Sequence, residues 1–127
     1  MKFKALGLAS IAVAMYAIPA FAHHSFALFD QNATVEVQGT VKEFLWVNPH
    51  SWLQIVAVDP QGEMTEWSIE MSAPGALTRD GWTSKTVVPG DTVTVMAHPI
   101  RDGSPGGQFV SILLPDGKEL SHIYRDP

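Results

Sequence analysis

The stretch TVEVQGTVKEFLWV, residues 34–47, decides how the rest of the chain is read. Val35, Val37 and Val41 alternate with Glu36, Gln38, Thr40 and Lys42, the period-two pattern of a strand with one face buried and one in water. Gly39 interrupts the run, and a missing side chain inside a strand permits a sharp bend or bulge. The polarity slips near Glu43, so that Phe44 and Trp46 take the opposite parity from Leu45 and Val47. A long, bent first strand whose two halves face different surroundings accounts for both features.

Working outward, Asn48-Pro49-His50 marks a turn, since proline cannot donate to a ladder. Residues 52–58 read as a second strand, DPQG at 59–62 as a β-turn, and 64–71 as a third strand. The second and third strands form a hairpin. Ser72-Ala73-Pro74 then opens the one convincing helix, with Ser72 as the capping residue and a stop near Asp80-Gly81. A turn at Pro89-Gly90-Asp91 leads to a strand over 92–98, and the glycine-rich RDGSPGG, 101–107, leads to a last strand over 108–114. The tail from Pro115 is polar and reads as loosely held.

Three strands, a short helix and two more strands, with the first strand bent, predict an all-β fold: a five-stranded OB-fold-like Greek-key barrel. An open sandwich is the alternative. Closure would hide the sheet edges, which suits a chain with no cysteine and therefore no disulfide.

Ahead of this lies a different kind of segment. Lys2 and Lys4 precede the apolar series ALGLASIAVAMYAI, then Pro19 and Ala20-Phe21-Ala22, the layout of a secretory signal peptide cleaved after Ala22. The rival is an uncleaved anchor, since about 18 apolar residues nearly span a bilayer, but Gly7, Ser10 and Pro19 interrupt the run and no basic cluster follows. Cleavage divides the chain into a signal peptide, 1–22, and a single barrel domain, 23–127. Losing Lys2 and Lys4 from 8 basic residues leaves 6 against 13 acidic ones, a net charge near −7. Such a surface repels phosphate backbones, so no nucleic-acid partner is expected, and no membrane association is expected once the signal is removed.

The segments AHHSFALFD, GTVKEFLWVNPHSWL, WSIEMSAPGALTRDGW, PGDTVTV and RDGSPGG together resemble a family of small exported bacterial proteins grouped as a domain of unknown function. The resemblance covers nearly the whole chain after Ala22. It implies a periplasmic location and an OB-like barrel, and it lends no established activity.

Chemistry has to come from the residues. Without cysteine, a metal must be held by histidine, carboxylate, methionine or backbone groups. Cleavage after Ala22 would expose His23-His24. The new amine and the His23 imidazole would chelate one ion, or His24 would bind through amine, deprotonated amide and its own ring; both geometries suit Cu(II). A terminal amine, with a reference pKa of about 7.7–8.0, deprotonates at little cost. A frayed, solvated end is the competing account, and Phe26, Leu28 and Phe29 are the residues that would pin it. His50, in the turn between Trp46 and Trp52, is the best third ligand. Glu70 is a candidate to orient a ligand histidine, although an exposed barrel residue is its plainer reading. His98 reads as a strand-end residue, and His122 lies in the polar tail. Trp67 and Trp82 read as core, whereas Trp46 and Trp52, with Asn48 in the turn, are open to ligand.

The leading expectation is a periplasmic binding protein that holds copper, or another divalent metal, through His23, His24 and His50. The alternative is a metal-free module that uses Trp46, Trp52 and Glu70 for an oligosaccharide, a small ligand or a partner protein, or a structural accessory subunit of an exported complex. No nucleophile elbow, phosphate loop or helical zinc-protease histidine pair is present, so no enzyme activity is expected.

Overall fold

The computed structural model describes residues 27–122. Its strands are β1 (Val35–Leu45), β2 (Trp52–Val58), β3 (Met64–Glu70), β4 (Thr92–Pro99), β5 (Gly106–Leu113) and β6 (Glu119–Ser121), with a helix α1 (Pro74–Arg79) between β3 and β4. The proposed signal peptide, and with it His23, His24 and Phe26, lies outside the described residues.

The bend expected in β1 is where the barrel is made. Its first half pairs with β4 and its second half with β2, and Gly39 belongs to both ladders, opposite Val93 and Ala57. A Cβ at Gly39 would stand 2.5 Å from the Val56 carbonyl oxygen, so only glycine lets the two backbones pass. The parity slip is a separate event. The β1–β2 register shifts between Val41 and Glu43, which makes Lys42 the extra residue of a bulge and turns the following side chains over.

The strand order is β3-β2-β1-β4-β5, and a parallel pairing of β3 with β5 joins the two ends. The sheet is thus a closed five-stranded barrel with the OB-fold topology, not an open sandwich. Val41, Leu53, Ile55, Ile69, Val95 and Phe109 fill it. Leu77 of α1 and Trp82 beyond it join this core, Trp82 meeting Phe109 edge to face with centroids 5.3 Å apart.

Two expectations are corrected. The tail is not loose: a turn at Pro115–Lys118, closed by Leu114 N–H to the Lys118 carbonyl, brings β6 against β5, and the half-buried Leu120 packs on the core. Ser72 is not the helix cap either. Ala73 takes that position with no side-chain cap bond, because the backbone of Ser72 still continues the β2–β3 ladder: its carbonyl accepts from Ser51 N–H, while Met71 N–H donates to the Ser51 carbonyl.

Candidate functional site

That extension of the ladder positions the site. Side chains alternate across a strand, so Ser51, Leu53, Ile69 and Met71 point into the barrel, where all are buried. His50, Trp52, Glu70 and Ser72 therefore share the outer face. His50 Nδ1–H donates to the Met71 carbonyl at 3.2 Å, and Glu70 Oε1 lies 3.5 Å from the same nitrogen. A carbonyl can only accept, so Nδ1 carries the proton and Nε2 of the neutral ring carries the lone pair. This is how a metal-binding imidazole is commonly held, with its second nitrogen tied to a carbonyl or carboxylate.

Glu70 is buried, 9% exposed, which corrects the reading of it as an exposed residue. Burial pushes its carboxyl above the ordinary carboxylate range, and the neighbouring His50 pulls it partly back.

Glu70 belongs to a row that runs round the barrel. Trp52 stands opposite Glu70, Glu70 opposite Gln108, and Gln108 opposite His98. The segment before β1 lies along the far end of this row. Gln31 Nε2 donates to Gln108 Oε1 at 2.6 Å, and His98 Nδ1 donates to the Ala33 carbonyl at 2.8 Å. Further back, Phe29 bridges to Ile100 and is buried, Arg101 N–H donates to the Leu28 carbonyl, and Arg101 Nε donates to the Ala27 carbonyl at 3.1 Å. The expected anchor is thus Phe29 with this backbone. Leu28, 47% exposed, contributes through its carbonyl and not its side chain.

The structure brings His50, Glu70 and Trp52 together. Asn48 is exposed, before a cis bond to Pro49, and Trp46 is half-buried against the core with its ring edge-on to Phe44. Trp82 is buried and Trp67 half-buried against the core, as expected of core residues. Among the described residues, no three His, Asp or Glu are grouped as a metal cage, and no helix is long and apolar enough to cross a membrane.

Two features escaped the sequence. The first is at Ser72, whose hydroxyl donates to His122 Nε2 at 2.6 Å while His122 Nδ1–H donates to Asp80 Oδ2. His122, expected in a loose tail, has a side chain only 6% exposed and a backbone N–H bonded to the Val110 carbonyl. The second is a cleft of about 360 Å³ at the opposite end of the β1–β2–β3 meander, where β1 and β2 splay apart. Glu36, Gln38 and Asp59 lie on its rim, and Val37, Ala57 and Trp67 line it.

A family model, described as a family of unknown function (DUF6152), matches residues 10–109. The chain belongs to that family. No curated protein matches it. Among solved structures it is similar to the mitochondrial single-stranded DNA binding protein Rim1 of S. cerevisiae, with 18% identity and a TM-score of 0.48 over 65% of this chain and 94% of that one. So distant a likeness says nothing about what this chain binds.

Proposed function

We propose that this member of the family is a periplasmic OB-fold protein that holds a copper ion at its N-terminus. The ligands are the amine and imidazole of His23, or the amine, amide and imidazole of His24, completed by His50 Nε2, with Glu70 orienting the site. One observation carries the reading: the outer-face row from Trp52 to His98 has His50 and the buried Glu70 at one end and the segment leading back to Ala27 along the other. Gln31, bonded to Gln108, brings the segment within one strand step of Glu70, and the tautomer imposed on His50 leaves Nε2 as the donor.

Adding Cu(II) to exported protein and recording its electron paramagnetic resonance spectrum tests this. The expectation is a tetragonal signal coupled to at least three nitrogens, with one coupling lost in His50→Ala. A signal indifferent to His50→Ala would remove His50 from the site.

The cleft favours a second reading, in which Trp67 is a platform for a small polar or cationic ligand between Glu36 and Asp59. Its volume lies in the range of small-molecule sites. A tryptophan fluorescence change on ligand addition that survives a chelator, and is lost in Trp67→Leu, would support it. No such change across oligosaccharides and polyamines would count against it.

A further inference from the structure

We infer that Ser72, His122 and Asp80 form a nucleophilic relay that accepts acyl groups from small carboxylic esters, a site separate from the proposed metal centre. The three side chains come from different parts of the fold: Ser72 from the strand extension before α1, Asp80 from the C-cap of α1, and His122 from the residue after β6. Eight residues separate the first two in sequence, and 42 separate Asp80 from His122, so chain proximity does not account for the grouping. The bonds run in the sense that activation requires. Asp80 accepts from Nδ1–H and so fixes the tautomer, which leaves the Nε2 lone pair facing the Ser72 hydroxyl at 2.6 Å.

The surroundings hold each partner in place. The Ser72 carbonyl is tied to Ser51 N–H, and His122 N–H to the Val110 carbonyl. The imidazole is screened from water, with 6% of its side chain exposed, whereas Ser72 is half-buried.

The step is as follows. Ser72 Oγ attacks the ester carbonyl carbon as its proton passes to His122 Nε2, and Asp80 stabilises the imidazolium through Nδ1–H. The carbonyl carbon to alkoxy oxygen bond breaks, and the leaving alcohol takes the proton from Nε2. Water, deprotonated by the same nitrogen, then attacks the acyl-serine to release the carboxylic acid and restore the hydroxyl. Ser72 is the catalytic nucleophile and His122 the base. Asp80 is a positioning residue.

A fluorophosphonate probe tests this with no knowledge of the natural ester. Ser72 Oγ would bond to phosphorus as fluoride leaves, and intact mass with peptide mapping would show one adduct on Ser72. The exported full chain is used with EDTA present, so that the outcome is independent of metal. Ser72→Ala should abolish the adduct. Asp80→Asn, which keeps the shape and reverses the tautomer preference, should slow labelling by about 10²-fold or more, and Asp80→Glu should restore part of the rate. Thermal melting of each variant establishes that it is folded. No adduct on the folded wild-type protein would overturn the inference, and so would a labelling rate unchanged in folded Asp80→Asn.

Discussion

Gln108 stands directly opposite Glu70 where β5 closes the barrel against β3, and its side-chain carbonyl accepts a hydrogen bond from Gln31. One residue thus links the strand that carries the candidate carboxylate to the segment that leads back toward His23 and His24. Gln108 is buried and Gln31 exposed, so the bond ties a surface segment to the seam where the barrel closes.

Phe29 is the apolar part of the same link. Its ring is 2% exposed and its backbone bridges to Ile100. Phe29→Ala should cost about 3–5 kcal/mol of stability, as truncations of buried phenylalanine do, and urea unfolding measures it. A loss below about 1 kcal/mol would mean that the segment is not anchored through this ring.

The hand-over at Gly39 makes a second mutation informative. Gly39→Ala places a methyl group 2.5 Å from the Val56 carbonyl oxygen and 2.6 Å from Ile55 Cγ2, which forces β1 and β2 apart. The expected cost is about 1–3 kcal/mol, read as a lower urea midpoint with an unchanged slope. Gly62, whose hypothetical Cβ meets nothing within 4 Å, differs in kind: its positive φ of 82°, not crowding, would make an alanine costly there.

Ser51, next to His50, should behave in the opposite way. Its hydroxyl is buried with no hydrogen-bond partner among the described residues. Ser51→Ala removes an unsatisfied polar group, so stability should hold or rise by about 1 kcal/mol. A clear loss would show that the hydroxyl has a partner.

Glu70 sets a pH dependence. Its folded pKa is raised above the ordinary value by burial, so between the unfolded and folded values the native state binds more protons than the unfolded chain. Stability is then highest below about pH 4.5 as far as this group is concerned, and falls as pH rises through the folded pKa. In metal-free protein Glu70→Gln should flatten that fall. An unchanged profile would mean that the carboxyl is not desolvated in solution.

Most of the barrel was legible in residues 34–47 and in the turns beyond them, because alternation, Gly39 and the proline-containing turns are local signals. What escaped depended on distant partners. β6 is three residues long with Leu120 as its one apolar side chain, too little for a period to show. The cap assigned to Ser72 fails because the β2–β3 ladder runs on through its carbonyl to Ser51 N–H, and the hydroxyl is committed to His122. Glu70 looks exposed on the alternation of β3 alone; His50 beside it, set there by the turn, is part of what covers it. The histidines divide the same way: His50 was legible from its turn, whereas His122, 50 residues from Ser72, could be placed only by the β5–β6 hairpin.

The central claim concerns the N-terminus, and a copper titration tests it most directly. Protein beginning at His23 is compared with the same protein acetylated at that amine. Acetylation removes the amine as a ligand while keeping both histidines in place and leaving the barrel untouched. The account predicts one copper ion per chain and an affinity at least tenfold weaker in the acetylated form. Equal affinity in the two forms would contradict it.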